Sequence, residues 1–281
     1  MNNQYHNTVV AVGQIGFVDA ALIRYLENIK SKKEQLLVHV TGSIYSNLIT
    51  KQHIEEFISA FSIVDGVIKN EPELERIVHQ KKTDILHLPE KELQQYSTER
   101  IQKKADIENS GDNETKEKLL NRNKFINLFG SSPSQRNQKI GLVSGSFDLI
   151  HTGHVRYIKA AKDMADILIV STMSTNSIRQ QEKNKKGDRP IYNQEDRVKV
   201  LSSLEYVDHI VVFEELDCKE VIRTIRPDYF VKCERDMSRK IVKEECELVK
   251  ALGGRVAVTK DKGDYSSTEI INFVREMDNR D

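Results

Sequence analysis

The chain has 281 residues, long enough for two domains of ordinary size, and its 43 Lys plus Arg are matched by 43 Asp plus Glu. A formal net charge of zero gives no global field to draw the protein to nucleic acid or to an anionic membrane, so any phosphate recognition has to be local. No apolar run of about 18 residues occurs, and the opening residues 1–6 have neither the basic nor the apolar part of a signal peptide, so a cytoplasmic protein without nucleic-acid or membrane partners is expected.

Taken in order, residues 8–88 alternate short apolar strands (9–12, 36–40, 66–68, 84–88) with helical patterns (17–29, 51–61, 73–80). That alternation predicts a parallel sheet covered by helices. Residues 89–138 turn polar and charged and are expected to form a partly helical linker. Within it, 113–116 opens a helical pattern that carries Leu119, Leu120, Ile126 and Phe129 and would end at Gly130. From 139 the alternation resumes, with strands at 139–143, 167–171, 209–213, 229–232 and 256–259 and helices at 155–164, 194–204, 219–225, 239–252 and 267–277. The expected organisation is therefore a domain over 1–88, a linker over 89–138 and a second domain over 139–281.

The two domains also resemble each other. Gly13, Arg24, Tyr25, Leu36, Leu37 and Val38 match Gly145, Arg156, Tyr157, Leu168, Ile169 and Val170 at one offset (145 − 13 = 132), and Asp65 matches Asp208 at a larger one (208 − 65 = 143). An internal duplication is expected, with an insertion around the lysine-rich loop of the second copy. The same offset sets Asp19, Ala20, Ala21 and Leu22 against His151, Thr152, Gly153 and His154. Both imidazoles are missing from the first copy, and a carboxylate there would repel a triphosphate, so the first copy is expected to be inactive.

The stretch 145–154, between an apolar strand and a helical run, carries the chemistry. Two histidines three residues apart at a helix start project side by side, where free backbone N–H groups and the positive end of the helix dipole favour phosphate. Gly145 is expected to take a tight backbone at the strand end, and Gly153 to let phosphate oxygens approach the main chain between the imidazoles. Backbone around Ser146 and Phe147 would complete the cradle. Asp148 reads as a helper that orients the turn, and Asp208 as part of a strand entry. The three cysteines, Cys218, Cys233 and Cys246, have neither disulfide nor zinc spacing and are expected to be reduced thiols.

At these residues the chain resembles the nucleotidyltransferases of the HxGH class, a cytidylyltransferase-like family with a Rossmann-like fold. Read on from Gly145 it is most similar to the adenylyltransferase domain of the bacterial ADP-heptose pathway, with glycerol-3-phosphate and ethanolamine-phosphate cytidylyltransferases more distant. The resemblance implies two Rossmann-like parallel-sheet α/β domains, the first degenerate. It implies catalytic roles for His151, His154 and Lys186, the last just before the turn Gly187, Asp188, Arg189, Pro190; Lys183 and Lys185 share its loop. It adds Arg197 and Lys232 to the nucleotide-facing set with Gly145, Ser146, Phe147 and Gly153. Ser266, Ser267 and Thr268 would hold the triphosphate, although the same residues also read as a helix N-cap with Glu269. Lys260 stands where the cytidylyltransferases tend to have a phosphate-binding arginine.

The implied reaction joins a nucleoside triphosphate, ATP in the first reading, to a sugar 1-phosphate or similar phosphorylated polyol and releases pyrophosphate. Mg²⁺ would arrive with the triphosphate, and no metal site built from protein alone is expected. Where the family has Gly-Gly-Asp or Gly-Asp-Asp, this chain has Cys233, Glu234, Arg235 and Asp236, which keeps two alternatives open. One is a CTP-dependent transfer to an alcohol phosphate or phosphonate; the other is a non-catalytic nucleotide-binding regulatory protein. The expected assembly is a homodimer or an internal pairing of the two copies.

Overall fold

A computed structural model describes residues 8–15, 20–31, 35–43, 50–80, 83–88, 118–120, 124, 127, 136–181, 189–260 and 266–278. The chain divides into two compact units: Met1–Ala105 with Ile150–Thr152 and Tyr265–Asp281, and Asp106–Leu149 with Gly153–Asp264. The last helix is thus counted with the first unit, whereas the sequence pattern groups it with the second.

The first unit contains β1 (Thr8–Ile15), α1 (Ala20–Lys30), β2 (Gln35–Ser43), α2 (Lys51–Ile58), β3 (Gly66–Ile68), α3 (Glu71–Gln80) and β4 (Asp84–His87). Its four strands are parallel in the order β3-β2-β1-β4. Helix α1 buries Leu22, Ile23, Leu26 and Ile29, the stripe of an amphipathic helix laid on a sheet. Thr50 starts α2, its hydroxyl accepting from the His53 amide while the His53 ring accepts from the Thr50 amide.

The second unit contains β5 (Leu119–Leu120), β6 (Ile140–Gly145), α4 (Thr152–Lys162), β7 (Ile167–Met173), α5 (Thr175–Gln180), α6 (Gln194–Ser202), β8 (His209–Phe213), α7 (Lys219–Ile225), β9 (Tyr229–Cys233), a 3-10 turn over Glu234–Asp236, α8 (Lys240–Ala251) and β10 (Arg255–Thr259). Its strands are parallel in the order β10-β9-β6-β7-β8-β5. One face of this sheet is closed by α5, α7 and α8 through Leu142, Ile169, Phe230, Ile222, Val242 and Val249. Helix α9 (Ser267–Asp278) follows β10 in the chain.

Leu119 and Leu120 are a strand, contrary to the helical pattern expected there. They pair with Ile210 and Val211, and the edge of β8 supplies partners that outweigh a local helical preference. Two cations tie down the chain on either side. The Lys118 ammonium donates to the carbonyls of Ser202, the last residue of α6, and Leu204, just past it, and the Arg136 guanidinium donates to Ile225 at the end of α7. Both satisfy carbonyls that a helix end leaves open. Burial lowers the pKa of Arg136.

The two sheets share a layout. Strands β3-β2-β1-β4 run in the same order as β8-β7-β6-β9. Val9 pairs with Leu36 as Gly141 pairs with Leu168, and Leu37 pairs with Gly66 as Ile169 pairs with His209. Asp65 accepts from the Leu36 amide at 2.5 Å and from the Lys30 ammonium. Asp208 does the same with the Leu168 amide and Lys162, each at 2.7 Å. Asp208 is therefore the strand-entry residue expected.

Among the described residues no helix is long and apolar enough to cross a membrane. Cys218, Cys233 and Cys246 are free thiols, as the spacing predicted.

Candidate active site

Strand β6 has neighbours on both sides, β7 and β9, and its Ile140, Leu142 and Val143 are buried. Ligands of open parallel sheets bind beyond the carboxyl ends of such strands, and the chain leaves β6 there through Gly145, Ser146, Phe147 and Asp148.

The tight backbone lies two residues further along than the sequence suggested. Phe147 takes the left-handed conformation (φ 45°), whereas Gly253 is the glycine with positive φ among the described residues. Gly145 serves a different need. A Cβ on it would stand 3.2 Å from the Phe147 ring, so the missing side chain makes room for that ring. The Phe147 ring is buried and meets the His154 imidazole edge-on, with centroids 5.5 Å apart and planes at 60°.

His151 directly precedes α4 and is buried; His154 lies in the first turn, half-buried, with Gly153 before it. The helix starts within the histidine stretch, three residues before the helical pattern expected from 155, and the Phe147 ring packs against the second imidazole.

Asp148 is buried and fully engaged. Its carboxylate accepts from the amides of Ile191 (2.8 Å) and Tyr192 (3.0 Å) and from Arg189 (2.9 Å). The turn-orienting role holds, and its reach extends to the segment that follows the lysine loop. Lys186, with Lys183, Lys185, Gly187 and Asp188, lies outside the described residues.

Two expected nucleotide ligands point elsewhere. The Arg197 guanidinium is 1% exposed and donates to the Ser146 carbonyl (2.8 Å), the Thr172 hydroxyl (2.8 Å), the Met173 carbonyl (2.8 Å) and the Tyr192 carbonyl (3.3 Å). Burial lowers its pKa to about 10, against the opposing pull of Asp148 and Glu195. Protein acceptors occupy it, because they offer a buried cation the partners it needs. Lys232 is buried too. Its ammonium pairs with Glu245 at 3.1 Å and lies 4.8 Å from the centre of the Phe230 ring. It shares the sheet face of Phe230, since alternate residues of a strand point the same way. Glu245 in turn accepts from the Cys218 amide, so the pair holds α7, α8 and β9 together.

Ser266, Ser267 and Thr268 open α9, among the residues of the first unit. The Ser266 hydroxyl accepts from the Glu269 amide (3.3 Å) and the Glu269 carboxylate accepts from the Ser266 amide (2.5 Å). This is the capping reading of the segment. Lys260 is exposed after β10. The departure at Cys233 forms the end of β9 and a 3-10 turn with Glu234 and Arg235 exposed.

Sequence reasoning missed Thr172, whose hydroxyl donates to the Ser146 carbonyl at 3.1 Å. Its signal was a Ser-Thr pair inside an otherwise apolar strand. No cluster of three or more His, Cys, Asp or Glu suited to a metal ion occurs among the described residues.

Residues 142–273 match the family model described as cytidylyltransferase-like. Over 154 residues the chain is 39% identical to the bifunctional protein HldE of Wolinella succinogenes, a match covering 53% of this chain and 31% of that protein. Over 168 residues it is 33% identical to the bifunctional protein HldE of Helicobacter pylori strain P12, covering 59% of this chain and 33% of that one. These matches therefore span about a third of the length of the curated relatives. Among solved structures, the lipopolysaccharide core biosynthesis protein from Thermoplasma volcanium GSS1 is 22% identical at a TM-score of 0.37, covering 46% of this chain and 100% of that chain, a likeness too distant to bear weight.

Proposed function

We propose, from the premise that residues 142–273 form a nucleotidyltransferase domain of the cytidylyltransferase-like class, that the chain transfers an adenylyl group from ATP to a sugar 1-phosphate. The observation that carries this reading is the histidine turn, set at the carboxyl end of a central strand with His151 and His154 at the start of α4. An oxygen of the acceptor phosphate attacks the α-phosphorus in line. A new P–O bond forms, the bond from the α-phosphorus to the bridging oxygen breaks, and pyrophosphate leaves with the electron pair. Little covalent work is asked of the protein, so alignment and charge stabilisation dominate. The two imidazoles donate to phosphate oxygens as negative charge moves onto the leaving group, and backbone from Ser146 to Phe147 holds the α-phosphate. Lys186 neutralises the leaving pyrophosphate.

Mg²⁺ would arrive with the triphosphate and would supply positive charge that offsets the charge of the leaving group. Asp148, the carboxylate of the signature turn, is held by Arg189 and two amides and so does not offer itself as a ligand. The choice of a sugar 1-phosphate follows the resemblance to the ADP-heptose pathway, which the HldE relatives support. The first unit, on this reading, is a degenerate copy of the same fold.

One observation favours a second reading. The 3-10 turn Glu234–Asp236 brings bulk and both charge signs where the family has small residues, which suits a different base and acceptor, such as CTP with an alcohol phosphate or phosphonate. Pyrophosphate release measured with each of the four triphosphates against a panel of phosphorylated acceptors separates the two. Release with ATP and a sugar 1-phosphate is the expected result; release with CTP alone overturns it.

A further inference from the structure

The carbonyl of Ser146, one residue before the left-handed Phe147, is gripped from two sides. It accepts from Arg197 at 2.8 Å and from the Thr172 hydroxyl at 3.1 Å, while that hydroxyl accepts a second Arg197 N–H at 2.8 Å. The remaining arms of Arg197 reach Met173 and Tyr192. On the other side of Phe147, Asp148 is fixed by Ile191, Tyr192 and Arg189. A non-glycine residue with φ of 45° persists only where its surroundings over-determine it, and here both flanking residues are tied down.

Folding does not require this arrangement. At the offsets of 132 and 143 that align the two sheets, Thr172 corresponds to Val40 and Arg197 to Ile54 (172 − 132 = 40; 197 − 143 = 54). Val40 and Ile54 are both buried on the same strand and helix of the first unit, whose sheet keeps the same order. A buried cation is costly, and the same scaffold stands with two aliphatic residues in its place. The sheet with the charged, hydrogen-bonded clamp is the one whose central strand β6 leads into the stretch with both histidines.

We infer that Arg197 and Thr172 clamp the Ser146 carbonyl so that the Phe147 N–H, which points the opposite way in the same planar peptide, is held toward the triphosphate. Arg197 is then a positioning residue that acts through backbone and touches no substrate. This rests on the nucleotidyltransferase reading for its turnover consequences, and on geometry alone for the amide it orients.

The test uses the residues of the first unit. Thr172→Val is expected to lower kcat about tenfold and Arg197→Ile about a hundredfold, since small misplacements cost that much. KM for both substrates should stay within about threefold. The double variant should be no slower than Arg197→Ile alone, because the two residues share one acceptor. Ser171→Ala, which removes a neighbouring buried hydroxyl bonded to the Val143 carbonyl, should leave kcat unchanged. A rise in the triphosphate KM with kcat intact would make Arg197 a ligand and overturn the inference, as would unchanged kinetics. Should Arg197→Ile fail to fold, Thr172→Val decides. Inorganic triphosphate added to the full chain provides a readout free of turnover: the Phe147 amide resonance should shift in the natural protein and not in Thr172→Val. No shift in the natural protein, or an equal shift in the variant, sinks the clamp. Absence of pyrophosphate release from the natural protein with any triphosphate would sink the nucleotidyltransferase reading and leave this amide comparison standing.

Discussion

The sheets of the two units are near-replicas that differ in what they put at one end. Both run through the same strand order, with matching register across β3-β2-β1 and β8-β7-β6, and both anchor the second strand with the same bracket, Lys30, Asp65 and the Leu36 amide in one, Lys162, Asp208 and the Leu168 amide in the other. The brackets sit at the amino end of the second strands. At the carboxyl end the units part. His154 corresponds to Leu22, Thr172 to Val40 and Arg197 to Ile54, so each of these polar residues of the second unit has a buried aliphatic residue as its counterpart in the sequence of the first. The strand brackets are repeated, and these three polar positions occur in one sheet only.

The largest effect that can break this comparison is on turnover. His151→Ala and His154→Ala should each lower kcat by about 10²–10³-fold, the size of losing one donor to developing charge, with the melting temperature unchanged. Pyrophosphate release and a thermal melt check both halves, and full activity in either variant would remove the chemical distinction between the units. Leu22→Ala, at the corresponding position, should do the reverse. Loss of its buried side chain costs about 2–5 kcal/mol of stability in denaturant unfolding, while turnover per folded molecule stays the same.

The brackets test the shared part. Asp65→Ala and Asp208→Ala each take the side-chain acceptor from a strand amide and should destabilise by about 1–3 kcal/mol, by like amounts. A large difference in urea midpoints would show the likeness to be superficial. The smallest effect is on acid sensitivity. Burial lowers the pKa of His209, with Asp208 opposing and the nearby lysines 124, 118 and 162 assisting. The unfolded chain therefore takes up the proton first as pH falls, and stability contributed above the ordinary value of 6.5 is lost below it. Gly66 stands at the corresponding place in the first sheet. His209→Gln should flatten the fall in unfolding free energy between about pH 7 and pH 5; an unchanged slope would assign it to other groups.

Most of the architecture was legible because it rests on local signals. Apolar runs of strand length alternating with helical stripes gave both sheets, and β8 and α7 lie where the pattern put them. The helix start at Thr152 and the capping box of Ser266 and Glu269 follow from residues within one turn. What was illegible depended on distant partners. Leu119 and Leu120 read as helix because nothing nearby in sequence reveals the edge of β8. Strand β7 runs two residues past its expected end at 171, where Ser171 and Thr172 spend their hydroxyls on the carbonyls of Val143 and Ser146. Arg197 and Lys232 read as ligands because an exposed cation and a buried one look alike until the acceptors around them are known.

Strand β6 is bonded along both edges, to β7 and to β9. Its amides are thus among those that exchange with solvent hydrogen only when the whole sheet opens. The histidine turn is suspended from the last element to come apart. Exchange at Leu142 and Val143 should run at the rate set by global unfolding, and activity lost on heating should follow the disappearance of those protected amides instead of preceding it.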